Sequence, residues 1–424
     1  MAISRFIAEN LEHSSWIRRM FDEGLKLKAR FGAENVFDFS LGNPDIEPPA
    51  AFARTVVELA SSAERGTHGY MPNVGYPDVR KKVAARASRD QGLDIPASNI
   101  VMTVGAAGGL NVILKTLLNP GDEVIVIKPY FAEYLFYVQN FGGVFKPVMP
   151  RADFSPDPEA IAAALTPRTA CVILNSPNNP TGRVYSREDI AAVARVLEVH
   201  GRACGRMPCL IADEPYREIV YGGVEVPSLM EAYAETLVVT SWSKTLSLPG
   251  ERIGYIAVSP RVSEPAQLLA GLAFSTRVLG FVNAPALMQR AVASLLEEVC
   301  DVASYEKRGK LLAEGLASAG YDFATPQGAF YIFVRVPSGG AGRLEAMTRE
   351  VEATGEPDVT PDVAYAMHLK KHNVLAVPGA GFGYPGYFRL SFCVAEETIR
   401  GSLAYFRDAL EEWRKPAGRG TEKI

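Results

Sequence analysis

Ile100-Val101-Met102-Thr103-Val104-Gly105 is the stretch on which the fold turns: a run of apolar residues stopped by a glycine, with a helical run, Leu110 to Leu118, behind it. Asn119-Pro120-Gly121 closes the helix, and Glu123-Val124-Ile125-Val126-Ile127 follows as a second strand, ended by Pro129. The rhythm returns at Ala170-Cys171-Val172-Ile173-Leu174, at Cys209-Leu210-Ile211-Ala212 and at Thr236-Leu237-Val238-Val239-Thr240, with helical segments such as Arg187 to His200 between them. Strands without polar alternation are buried on both faces, and their alternation with helices implies a mostly parallel α/β sheet.

Working outward, Leu11 to Gly32 reads as an amphipathic helix with Trp16, Ile17, Met20, Phe21, Leu25 and Leu27 among charges. Phe37 to Asp45 reads as a short strand broken into a loop at Gly42 and Pro44. Beyond residue 295 the rhythm changes. A long helix, Val302 to Gly320, precedes an alternating strand, Gly328 to Val334, and Ser338 to Asp362 reads as a surface insertion. Val374 to Val377 and Phe388 to Phe392 read as strands, and Glu396 to Lys415 as a helix. The expectation is a large domain over 47–295. A smaller α+β domain combines residues 1–46 with 296–424.

The composition excludes several classes. In 424 residues, 48% are hydrophobic and 22% charged, enough for a sizeable core. Lys and Arg total 44 against 48 for Asp and Glu, a net charge of −4, which lacks the basic footprint of a nucleic-acid binder. No run spans a bilayer, and the first residues lack the apolar core of a signal peptide. Five scattered cysteines, an odd number, argue against a disulfide framework, so a soluble cytoplasmic protein is expected. Cys204 and Cys209 lack further zinc ligands, and His13, His68, His200, His368 and His372 show no metal spacing. Glu345 to Glu356 reads as a solvated face, and 415–420 as a frayed polar tail.

Ligands of such sheets bind beyond the carboxyl ends of the strands. Those ends carry the Gly105 to Gly109 turn, Pro129-Tyr130-Phe131, Asn175-Ser176-Pro177-Asn178-Asn179-Pro180, Asp213-Glu214-Pro215-Tyr216 and Ser241-Trp242-Ser243-Lys244. Lys244 stands beside two serines with Arg252 eight positions on, a set suited to a carbonyl-binding lysine next to a phosphate cradle. No GxxxxG precedes Lys244, so a P-loop is excluded. Asp213, at a strand end, is a helix cap or the partner of a buried cation. Asn175 to Gly182 is a proline-fixed turn projecting amides, and the Gly105 turn opens a helix whose N-terminus suits an anion.

Together these motifs, SxSKxxxxPGxRxGY with NxPNNPTG and DEPY, resemble the class I/II aminotransferases, fold type I enzymes dependent on pyridoxal phosphate. The resemblance runs from about Phe37 to Phe406. It implies a seven-stranded type of sheet, flanked by helices, in the large domain. It implies that Lys244 carries the cofactor as an imine and serves as the catalytic base, with Asp213 keeping the pyridine nitrogen protonated. Tyr216 and Asn179 match the pair bonded to the cofactor's phenolic oxygen. Ser241, Ser243 and Arg252, with the backbone of Gly105, Ala106 and Ala107, match the phosphate binders. Phe131 matches the stacking aromatic, backed across the ring by Pro215. Tyr70 matches the tyrosine reaching the partner subunit's phosphate, which implies a homodimer. Arg389, aided by Gly42 and Asn179, matches the grip on the substrate carboxylate.

The implied reaction is ping-pong transfer of an amino group from an α-amino acid to a 2-oxo acid. The same scaffold also hosts β-lyases, distinguished by turnover without a keto acid, cyclopropane-forming synthases, and ligand sensors fused to a DNA-binding helix-turn-helix. About 36 residues before the first strand leave little room for the last. One aspartate-specific subgroup carries a lysine where Ala107 stands, so that route to a distal carboxylate is missing. Trp16, Ile17, His68, Tyr70 and Phe281 are the candidates for the side-chain pocket, a set that suggests neutral or aromatic substrates.

Overall fold

The computed structural model describes residues 2–12, 16–62, 65–353 and 359–417. His13, Glu356 and the tail beyond Ala417, each included in the sequence reading, lie outside them, as does the Ile17 side chain. Among the described residues twelve strands run in chain order: β1 (Phe37–Asp38), β2 (Ile100–Thr103), β3 (Glu123–Ile127), β4 (Val144–Val148), β5 (Thr169–Asn175), β6 (Cys209–Asp213), β7 (Thr236–Ser241), β8 (Gly254–Val258), β9 (Tyr331–Arg335), β10 (Val374–Leu375), β11 (Val377–Pro378) and β12 (Tyr387–Ser391).

The large sheet has seven strands in the order β2-β8-β7-β6-β5-β3-β4. Only β8 runs against its neighbours; the other pairings are parallel. Alternation along the strands divides the core into two layers. Ile125, Val172, Leu174, Leu210, Ala212 and Val238 face one layer, and Val124, Cys171, Ile173, Ile211, Leu237 and Val239 face the other. Helices cover both sides. Helix Arg187–Cys204 shows how sequence sets their ends: Ser186 and Asp189 form a capping box, and Gly205, left-handed at φ 73°, stops it.

The chain ends build a second core. β11-β12-β9 form an antiparallel sheet, and β1 pairs in parallel with β10. Phe37, Phe39, Phe330, Tyr331, Phe388, Phe406 and Trp413 meet there with helices Val302–Ala319 and Glu396–Arg414. The expected single strand Val374–Val377 is two pieces. The chain bends at Ala376, so Val374–Leu375 joins β1 and Val377–Pro378 joins β12. The expected surface insertion also carries structure: helix Arg343–Glu352 buries Met347 and Val351. Of the helix expected over Leu11–Gly32, Trp16–Phe31 is helical, a separate helix covers Arg5–Glu12, and residues 13–15 lie outside the described residues. Among the described residues no helix is long and apolar enough to cross a membrane.

Candidate active site

A cavity of about 260 Å³ opens at the carboxyl ends of β5, β6 and β7, where the N-terminus of helix Gly105–Leu117 and residues of the second core converge. Ala106, Ala107, Phe131, Asn179, Asp213, Pro215, Tyr216, Ser241, Ser243, Lys244, Arg252, Gly42 and Arg389 all line it. Every site residue named from the sequence is therefore there except two. Gly105 sits just behind, in left-handed backbone at φ 70°, where an added Cβ would stand 2.8 Å from the Arg252 Nη2. Tyr70 is 93% exposed and does not line it.

Asp213 ends β6 in the middle of the sheet, almost wholly buried. The Tyr134 hydroxyl donates to its Oδ2, while Oδ1 has no partner. Burial, and secondarily the Glu214 charge, push the carboxyl up to about 7, against the Tyr134 bond that favours the anion. A buried carboxylate oxygen facing a cavity without a donor is a place for a cationic N–H, the donor that a protonated pyridine offers.

Lys244 lies one turn past β7, and its Nζ donates to the Gly42 carbonyl at 2.8 Å. Burial pulls the ammonium down to about 8, and Arg389 and Arg252 press the same way. The Ser241 and Ser243 hydroxyls are 3.1 Å apart, and Arg252 is held by its Nη1 bond to the Pro249 carbonyl at 2.7 Å. With the amides that open helix Gly105–Leu117 these donors form one cradle, fit for a phosphate.

Arg389 is fully buried on β12, and among the described residues no carboxylate pairs with it. Its Nη1 donates to Asn179 Oδ1 at 3.1 Å, its Nη2 to the Ser40 carbonyl, and its Nε has no partner. The rings of Tyr331 and Phe382 lie 4.5 and 4.9 Å from the guanidinium carbon. A buried cation without counter-charge at a cavity wall calls for an anionic ligand. Asn179 is fixed in turn: its N–H donates to Asn175 Oδ1, and Asn175 Nδ2 donates to the Asp213 carbonyl, both at 2.8 Å.

Residues 34–405 match the family described as Aminotransferase class I and II. The chain belongs to that family. It is 31% identical over 390 residues to the aspartate/prephenate aminotransferase of Thermus thermophilus, covering 91% of this chain and 93% of that one. It is 27% identical to the aromatic-amino-acid aminotransferase 2 of Thermococcus litoralis, over 96% of this chain and 98% of that one. A solved amino transferase from Eubacterium rectale superposes with a TM-score of 0.90 at 36% identity, over 98% of this chain and all of that one. The chain is an aminotransferase, and nothing among these relatives favours a lyase.

Within this aminotransferase two residues escaped the sequence reading, Tyr134 beneath Asp213 and Tyr331 in the wall, while Asn175, read only as part of its turn, proves to brace Asn179. Tyr134 follows Phe131 by three positions across the turn that opens helix Glu133–Gln139, and the two rings meet at 5.6 Å. The pocket candidates Trp16, His68, Tyr70 and Phe281 do not line the cavity. Trp16 packs on Gly381, Phe281 joins the core beside helix Gly105–Leu117, and His68 and Tyr70 are exposed. The histidine reading is also corrected. His368 and His372, one turn apart, gather with Glu412 so that possible ligand atoms lie within 4.8 Å. Each is already partnered in the protein, His368 by the Ala409 carbonyl, and Glu412 by His372 and Arg343. A larger hollow of about 560 Å³, beside helix Val302–Ala319, has its central Lys310 paired with Glu306 at 2.7 Å and gathers no comparable chemistry.

Proposed function

We propose that this aminotransferase works with pyridoxal phosphate carried on Lys244, and that the observation supporting this best is the single cavity shared by Lys244, a partnerless Asp213 oxygen and the serine–arginine cradle. When bound, pyridoxal phosphate supplies an electron sink for the pair of electrons left at the substrate Cα. Asp213 Oδ1, which has no partner, would hold a proton on the pyridine nitrogen. Ser241, Ser243, Arg252 and the amides of Gly105, Ala106 and Ala107 hold the phosphate. Tyr216 and Asn179 hold the phenolic oxygen, and Phe131 and Pro215 enclose the ring. Arg389, with Gly42 and Asn179, would grip the α-carboxylate and so orient the bonds of Cα. Lys244 Nζ then takes the Cα proton as general base, a function served by its lowered pKa. Its bond to the Gly42 carbonyl would hold the nitrogen in place while the amine is free.

The substrates in this reading are an α-amino acid and a 2-oxo acid. Ala107 gives the cavity no charge for a distal carboxylate, which favours a neutral or aromatic side chain. The functional unit is a homodimer, in which the exposed Tyr70 reaches the partner subunit's phosphate. Residues 47–295 form the cofactor domain, and 1–46 with 296–424 the domain that closes on substrate. Five unpaired cysteines suit a cytoplasmic location.

The experiment is the absorption spectrum of the purified protein, titrated with amino acids with and without keto acids. The expected result is a cofactor band converted by an amino acid and restored by a keto acid. Lys244→Ala should lose both band and turnover; a variant that stays yellow and active sinks the assignment. Release of pyruvate and ammonia without a keto acid would favour a lyase.

A further inference from the structure

Tyr331 is an aromatic of the cavity wall that touches both Tyr216 and Arg389. It is the first residue of β9 and is 2% exposed. Its hydroxyl lies 2.9 Å from that of Tyr216. Its ring covers the Arg389 guanidinium at 4.5 Å. Its position also explains Gly42. A Cβ there would fall on the Tyr331 hydroxyl and stand 2.8 Å from Cζ, so only glycine leaves the ring its place. The Gly42 carbonyl is in turn the acceptor of Lys244 Nζ.

We propose that Tyr331 is a positioning residue that acts separately on cofactor and substrate: through its hydroxyl it orients Tyr216, and through its ring it holds Arg389 flat toward the carboxylate. The inference rests on the cofactor reading given above. Two phenols can bond in either sense. If Tyr331 donates, the Tyr216 proton is left pointing to the cavity, and a hydroxyl that accepts a bond donates a stronger one. The ring faces a cation that has no acidic partner among the described residues, so the quadrupole of Tyr331 and that of Phe382 replace a counter-charge without competing for the substrate. A carboxylate side chain there would occupy the fork that must stay open.

The test uses the cofactor-loaded enzyme and three variants. Tyr331→Phe removes the hydroxyl and keeps the ring. It should move the pH midpoint of the cofactor absorption band upward by about half a unit, roughly three-fold in the proton equilibrium, while acetate inhibition stays at the wild-type constant. Tyr331→Leu removes both. It should move the band and also weaken acetate about five-fold, with KM for the amino acid rising in proportion. Gly42→Ala, which pushes the hydroxyl aside, should shift the band as Tyr331→Phe does. An unshifted band in Tyr331→Phe, or unchanged acetate inhibition in Tyr331→Leu, overturns the proposal. Loss of band and exchange in the wild-type enzyme would instead refute the cofactor reading.

Discussion

Replacing Asp213 by asparagine should make the cofactor-free protein more stable and the enzyme useless. The carboxyl stands at about 7 in the fold, chiefly through burial, against about 3.9 in an unfolded chain. A carboxyl raised on folding leaves stability intact below pH 4, where both states are protonated. That stability is lost as pH rises toward 7, where the unfolded chain has released its proton and the fold has not. Three units amount to about 4 kcal/mol at and above neutrality. Asparagine keeps the shape, still accepts from Tyr134, and never ionises. Spread over an unfolding entropy of about 0.9 kcal/mol/K for this chain length, the gain is about 4–5 °C. Thermal melts of cofactor-stripped wild type and Asp213→Asn, from pH 4.5 to 8.5, should coincide at the acid end and diverge upward. Added pyridoxal phosphate should reverse the order, because the anion then has its partner. A difference that is absent at pH 8, or equal at every pH, would refute the argument that Asp213 is an ionisable group held at a cost.

The other predictions concern neighbouring groups. Labelling of Lys244 in the cofactor-free protein by an amine-acylating reagent should rise through about pH 8 rather than 10.5, read by peptide mass spectrometry. Arg389→Lys loses the planar fork and should lower kcat/KM by about ten- to a hundred-fold, mostly through KM, in steady-state kinetics. Gly109→Ala would put a Cβ 2.6 Å from Val239 Cγ2, where helix Gly105–Leu117 crosses β7, and should cost about 1–3 kcal/mol in denaturant unfolding.

The central strands were legible because each is an unbroken apolar run, and a strand buried on both faces has no other composition available. Two strands of the large sheet were not. Val144–Val148 is an edge strand, with Val144 and Pro147 exposed and Lys146 half-buried, so it lacks the apolar signal. Gly254–Val258 is apolar but follows directly on the lysine motif, and it runs antiparallel through a short connection rather than a helix. The same division holds in the cavity. Residues placed at strand ends, such as Asp213 and Ser241, were found from local pattern and family motif. Tyr134 and Tyr331 serve through partners 79 and 115 residues away, and no local spacing encodes such a meeting. The pocket candidates stay off this chain's own cavity for a related reason: closeness to a motif in sequence does not fix where a side chain goes, and Trp16 and Phe281 pack elsewhere while His68 and Tyr70 are exposed.

The closing of the cavity also has an order in time. β1 waits for β10, and the Ser40 carbonyl waits for Arg389, 349 residues later. At ribosomal speeds of about 5–20 residues per second, that separation is roughly 17 to 70 seconds. The seven-stranded sheet, whose strands end at Val258, can be laid down during this interval. The carboxylate fork and the Gly42 loop cannot close over it until the chain is nearly finished. A nascent chain arrested before β12 would therefore carry Lys244 without Arg389 in the opposite wall of its cavity, open to any aldehyde in the cell.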